Sequence, residues 1–343
     1  MKKLLVMLLK IGISVAIIAY LVYDAVSTEN EAGQNIFEQL IHQPKHWGLL
    51  AAAWVFCASA VTLTLVRWWC LVRALRLPLP FTEALRIGFL GYLFNLAPMG
   101  IVGGDLLKGW MLAREYRQRR IEAFASVVVD RMIGLYMLFV VATAAIFVTG
   151  FWRLKQPELQ FICNTTYLLT ASGAVVLALL LTPGFTDGRG TRALGRLPRV
   201  GHAIESLIGA VRMYRRQPYV LASSAIMSVA VHSLFATGVY LIARGLPGDD
   251  LSLSTHFVVM PLSASTGALP LPMGPFELVL EFLYTHVREP NVVIATGQGL
   301  VVALGYRLIS VMIATVGICY YLGSRQEVAQ VIHEAEEEQQ AAQ

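Results

Sequence analysis

The chain has 343 residues, 56% of them hydrophobic and only 14% charged, with a mean hydropathy of +0.62. Soluble domains carry roughly 25% charged residues to cover their surface, so a soluble globular protein is excluded and an integral membrane protein follows. The formal net charge of +5 does not point to nucleic acid, because the basic residues fall in short clusters between apolar runs.

Crossing ~30 Å of hydrocarbon takes about 20 apolar residues as a helix. The first such run, 4–23, follows Met1-Lys2-Lys3. It exceeds the ~7–15 residues of a signal-peptide core and no small-x-small cleavage pattern follows, so 1–24 is expected to stay as a first membrane span. An acidic loop, 24–46, with Asp24, Glu29, Glu31 and Glu38, reads as external solvated charge.

The first half of the remaining chain, 47–182, carries apolar runs at 47–66, 121–150 and 161–182. Between them, 87–104 is apolar but broken by Gly and Pro. Arg67, Arg73, Arg76 and Arg86 precede it; Lys108, Arg114, Arg117, Arg119 and Arg120 follow it. Basic residues on both flanks predict that it enters and leaves on the cytoplasmic side, as a re-entrant or broken helical hairpin.

A basic loop, 183–217, brings seven arginines: Arg189, Arg192, Arg196, Arg199, Arg212, Arg215 and Arg216. The second half, 219–322, has runs at 219–243 and 292–322 and a second broken stretch, 256–286, on the outer side. The tail, 323–343, is acidic and reads as a frayed cytoplasmic helix. With Lys2, Lys3, Lys10 and Arg325, this layout places 20 of the 27 basic residues inside. The fold expected is an all-α polytopic membrane protein with six full transmembrane helices, two broken hairpins and both termini in the cytoplasm, in a cell or inner membrane.

The two broken stretches share a phrase. Leu96-Ala97-Pro98-Met99-Gly100 returns as Pro270-Leu271-Pro272-Met273-Gly274, each followed by a carboxylate, Asp105 or Glu277. Arg76-Leu77-Pro78 and Arg244-Gly245-Leu246-Pro247 stand upstream; Val127 to Ile133 and Val301 to Ile309, each holding an arginine, stand downstream. Three crossings separate the two copies, so they would run in opposite directions through the membrane. Inverted repeats with Gly/Pro-broken helices point to a transport site near the midplane worked by alternating access. The competing explanation is convergent composition in apolar sequence.

Unwound backbone inside a membrane survives only when buried in protein or lining a wet cavity. Asn95, Gly103 and Gly104 lead into a helix starting near Asp105, with Lys108 one turn on. Exposed amide N–H groups at such a start, reinforced by the helix dipole, suit a phosphate. Alternatively Asp105 caps the helix and the glycines serve close packing. Asp130 and Arg131 lie about ten residues into an apolar run, a depth at which charge is expensive. They form a packing ion pair, or Arg131 attracts a lipid phosphate while Asp130 orients it or relays a proton. Arg307 poses the same choice. Glu277 and Glu281 share a helix face; Glu277, beside the Gly274-Pro275-Phe276 break, is the stronger candidate and Glu281 reads as solvated. His232 reads as an interhelical hydrogen-bond partner. Trp68, Trp69, Trp110 and Trp152 fit an interfacial aromatic belt.

No metal, cofactor or catalytic constellation is legible. Cys57, Cys70, Cys163 and Cys319 have no ligand spacing and read as small apolar side chains. No GxGxxG or Walker pattern occurs.

At Asn95-Leu96-Ala97-Pro98 with Gly103-Gly104-Asp105, and at Asp130-Arg131 with Gly134-Leu135, the chain resembles the lysylphosphatidylglycerol synthase transmembrane-domain family, also called flippase-like membrane proteins. Gly274-Pro275-Phe276-Glu277 stands where that family has Pro-Gly-Gly-x-Gly-x-x-Glu. The resemblance covers about 47–322 and implies a bilayer-embedded module that binds or moves a lipid with an anionic head group. In the aminoacyl-lipid synthases a soluble transferase domain follows this module. Here only an acidic tail follows, so aminoacyl transfer by this chain alone is not expected, and a separate lipid-modifying enzyme is a candidate partner. Transport of a small anion or ion-coupled solute is the alternative; an intramembrane transferase fits less well, because the carboxylates are too dispersed.

Overall fold

The computed structural model describes residues 2–28, 35–96, 103–182, 209, 211–269, 271, 273–290 and 292–341. Most of the repeated Pro-Met-Gly phrase, Glu29, Glu31, and the loop arginines Arg189, Arg192, Arg196 and Arg199 lie outside the described residues. Every regular element among those described is helical. That is the expected solution in hydrocarbon, where each backbone N–H and C=O has to be bonded within its own segment.

In chain order these are α1 (Lys2–Ser27), α2 (Ile36–His42), α3 (Trp47–Ala74), α4 (Phe81–Leu96), α5 (Gly104–Glu115), α6 (Arg120–Thr149), α7 (Pro157–Leu181), α8 (Pro218–Gly245), α9 (Leu253–Ser265), α10 (Pro275–His286), α11 (Gln298–Gly323) and α12 (Arg325–Ala341). Prolines open α7, α8 and α10, the position where the missing N–H removes no helical bond. Asn35 caps α2 by accepting from the Phe37 and Glu38 amides. Six helices, α1, α3, α6, α7, α8 and α11, are long and apolar enough to cross a membrane. They match the six apolar runs, although α11 starts at Gln298 rather than 292.

The described residues form two compact units. One comprises Met1–Ala60, Leu138–Tyr167 and Ala230–Met312; the other comprises Val61–Met137, Leu168–Val229 and Ile313–Gln343. Each of α3, α6, α7, α8 and α11 contributes a segment to both.

In the second unit α4 and α5 pack against each other, so the broken stretch extends beyond 87–104 to limbs reaching Phe81 and Glu115. Their contact explains one glycine outright: a Cβ on Gly104 would sit 1.7 Å from the Gly91 carbonyl oxygen. The core here joins Trp68, Leu71 and Leu75 of α3 and its turn, Leu90 of α4 and Leu107 of α5. Val328 and Val331 of α12 are buried in the same cluster. The first part of the tail, as far as Val331, is therefore docked rather than frayed. Arg86 fixes it, donating to Glu83, to Ser324 Oγ (2.8 Å) and to Glu327 (2.7 Å). Trp68 is also removed from the aromatic belt: it is buried, and its indole N–H donates to Ser126 Oγ (3.3 Å).

In the first unit α9 and α10 are stitched by a buried polar contact, His256 Nε2 accepting from Tyr284 Oη at 2.6 Å. Glu289 accepts from the Ser252 amide and hydroxyl and from Thr255 Oγ1 at the start of α9. Gly274, at φ +105°, makes the sharp turn into α10 while lying against Ile17 of α1. A side chain at that φ is strained, so glycine is required there.

Candidate functional site

Both broken stretches end in a carboxylate that meets an arginine of a spanning helix. In the second unit Arg131 Nη2 of α6 donates to Asp105 Oδ1 of α5 at 2.5 Å. In the first unit Arg307 Nε of α11 donates to Glu277 Oε1 of α10 at 2.6 Å. The partners are 26 and 30 residues apart in the chain, and each pair lies within one unit.

The surroundings of the two pairs differ. Glu277 is fully buried, and its other oxygen accepts from the Gly274 amide at 2.8 Å, closing the start of α10. Arg307 lies over the Phe276 ring, 5.6 Å from its centre. This pair is neutral and its carboxylate is fully engaged.

Around Asp105 the charges are more numerous. Helix α5 starts at Gly104 with Gly103 as N-cap, so Asp105 sits one turn-position in and does not cap the helix by its side chain. Asp105 hydrogen-bonds Arg131, and the Asn95 side chain lies beside the start of α5, its Cγ 2.9 Å from where a Cβ on Gly104 would stand. The Lys108 ammonium stands 3.8 Å from Asp105 and 5.7 Å from the centre of the Trp68 ring. The Lys108 stem passes over Gly91, where a Cβ would meet Lys108 Cε at 2.6 Å. Gly91 and Gly104 thus serve close packing, and Gly103 alone of the glycine pair remains exposed at the helix start.

Asp130 and Arg131 do not pair with each other. They leave α6 about 100° apart, and each finds its own partner. Asp130 is buried and accepts from Arg67 Nε at 2.8 Å; Arg67 also donates to Ser228 Oγ at 2.7 Å and to the Asp130 carbonyl at 3.3 Å. Gly134, one turn on, leaves room for the guanidinium: a Cβ there would approach Arg67 Nη2 to 3.1 Å. Arg67 was expected between elements, yet it lies inside α3 and is 4% exposed. The signal available was the apolar run Trp68 to Val72, which continues past it.

Three cations, Arg67, Lys108 and Arg131, therefore face two carboxylates, Asp105 and Asp130, a surplus of one positive charge. The intervening residues 97–102 carry no ionisable side chain. The Arg131 side chain is 52% exposed and Asp105 34%, whereas Arg67 and Asp130 are closed off. The cluster has a sealed half and an open half, and the open half presents a cation.

Glu281 belongs to neither pair. It is buried, not solvated, and accepts from the Gly297 amide (2.6 Å) and the Leu300 amide (2.8 Å), capping α11. His232 is half-buried in α8. All four cysteines are free thiols, and no grouping of His, Cys, Asp and Glu suited to a metal ion occurs among the described residues.

The family profile described as the lysylphosphatidylglycerol synthase TM region matches residues 7–317. The chain belongs to that family. Comparison with curated proteins finds no match. The match takes in five candidate spans whole, the sixth as far as residue 317, and the helices α4, α5, α9 and α10, and makes this a multi-pass membrane protein.

Proposed function

We propose that this chain binds the phosphorylated head group of an anionic lipid at the α4–α5–α6 cluster and carries the lipid across the bilayer without covalent chemistry. The observation that carries this reading is the surplus positive charge beside a half-exposed Arg131. Held within the membrane, an uncompensated charge is unfavourable by roughly 2.5–3.5 kcal/mol even on the lenient insertion scale, so a bound anion is favoured there. Asn95, Gly103, Asp105, Lys108 and Arg131 form the open half of the site. Gly104, Asp130 and Arg67 hold it in shape.

The matched arginine–carboxylate pairs support reading the two broken stretches as re-entrant hairpins of an inverted repeat. On that reading, Asp105–Arg131 and Glu277–Arg307 are equivalent latches that open in alternation, and the charge pattern puts both termini in the cytoplasm. The asymmetry between them favours the first for head-group capture.

The test is lipid movement in vesicles reconstituted with the full chain and a fluorescent anionic phospholipid. Wild type should move lipid well above protein-free vesicles, and Arg131→Ala should slow it at least tenfold while remaining folded. No movement by folded wild type would sink the proposal. Uptake of a soluble anion in place of lipid would favour a small-anion transporter instead.

A further inference from the structure

We propose a second anion site, separate from that cluster and independent of any transport role: an arginine cleft at the membrane interface that holds the phosphate head group of an anionic phospholipid. The cleft, about 580 Å³, lies where three candidate spans end or begin, at the close of α3, the start of α6 and the start of α8. Its walls carry Arg73, Arg76, Arg119 and Arg216, and no carboxylate is among its described lining residues.

Arginines at the end of a helix ordinarily serve the unpaired carbonyls there. Those carbonyls are taken by other groups. Tyr214 Oη donates to the Leu71 carbonyl at 2.9 Å, and Gln217 Nε2 donates to Ala74 at 2.6 Å. Arg119 donates to Leu75 at 2.8 Å and to Arg76 at 3.2 Å, and it pairs with Glu122. The end of α3 is thus closed without Arg73, Arg76 or Arg216. Those three side chains are exposed, and none forms a salt bridge among the described residues. Arg73 stacks over Trp69, 5.1 Å from the ring centre, which turns it along the cleft wall.

Arg76 adds an observation of another kind. It has φ +59°, the left-handed position just past a helix where glycine is the ordinary choice. An arginine there is strained relative to glycine, and strain kept in a backbone points to a use for the side chain. A lipid is the occupant that fits, because the helical stretch 211–215 has a second face. Val211 and Tyr214 line an apolar crevice of about 250 Å³ with Val129, Ile133 and Leu177, while Met213 and Arg216 line the cleft. A polar and an apolar recess on neighbouring faces of one stretch match an amphiphile better than a free anion. Basic pockets between spanning helices are recurrent head-group sites.

The test uses the full chain in neutral detergent with added phosphatidylglycerol, phosphatidylcholine or inorganic phosphate. Retained lipid is read by native mass spectrometry and melting temperature by light scattering. Phosphatidylglycerol should be retained over phosphatidylcholine, and each arginine lost (Arg76→Gly, Arg216→Gln) should weaken retention about fivefold. Arg76→Gly should melt no lower than wild type without lipid, since it relaxes the backbone, and Arg76→Lys should keep most of the retention. The proposal is overturned if the Arg76→Gly/Arg216→Gln double variant retains phosphatidylglycerol like wild type. It is overturned equally if inorganic phosphate alone reproduces the full stabilisation, or if retention is lost in Arg131→Ala and not in the cleft variants.

Discussion

Neighbouring charges on one helix turn have opposite assignments here, which separates stability from activity. Removing one member of a buried ion pair leaves the other uncompensated, a loss of about 3–5 kcal/mol. Asp130→Ala should therefore unfold the protein at markedly lower temperature, and Arg67→Ala equally. Arg67→Met combined with Asp130→Leu should recover most of the loss, since a buried pair replaced by apolar groups of similar size is often neutral. Arg131→Ala, in a half-exposed pair, should change stability little, by about 0–1 kcal/mol, while slowing lipid movement at least tenfold. Asp250 offers a pH readout outside the spans. Burial pushes its carboxyl up to about 6, against the pull of Arg244. A raised carboxyl pKa means the folded state resists ionisation, so stability should fall as pH rises from about 4 to about 6. Asp250→Asn should flatten that slope in pH-dependent melting curves. At this scale the sequence singled out Asp130, Arg131 and Arg307 by their depth in apolar runs, and Glu277 by its place after the Gly274-Pro275-Phe276 break. It could not assign partners, because Arg67 to Asp130 spans 63 residues and Asp105 to Arg131 spans 26.

Among elements, the α4–α5 pair and the docked α12 respond to different changes. Gly104→Ala would place a methyl group 1.7 Å from the Gly91 carbonyl oxygen, forcing the two helices apart. It should lower the melting temperature and lipid movement together, whereas Gly103→Ala, with Asn95 Oδ1 3.9 Å away, should leave the melting temperature unchanged. The α12 latch depends on charge. Hydrogen bonds from Arg86 hold the Glu327 carboxyl below its ordinary range. A depressed carboxyl pKa contributes stability above the ordinary value of about 4.3 and loses it as pH falls through the folded value. Acidification should thus release α12, seen as faster amide exchange over 325–332, and Glu327→Gln should show fast exchange already at neutral pH. The charge run at the tail reads as solvated in sequence because its two buried valines, Val328 and Val331, are a small signal among many polar residues.

For the whole molecule, the proposed orientation is checked by labelling from one side. In a cysteine-free background, Lys155→Cys should react with a membrane-impermeant maleimide from outside intact cells. Arg325→Cys should react only after the membrane is opened, and the reverse pattern would invert the topology. The sequence by itself determined the number and place of the spans, the two helix breaks and the family. The spans and breaks depend on local composition and the family on short motifs: a run of about 20 apolar residues is favoured in hydrocarbon whatever its neighbours do. Tertiary structure alone decided which charges are sealed and which are open. Ion pairs form between helices distant in sequence, and their energy depends on distance and burial. Hence Glu281 became a helix cap, Arg67 a buried partner and Arg131 the cation left facing outward.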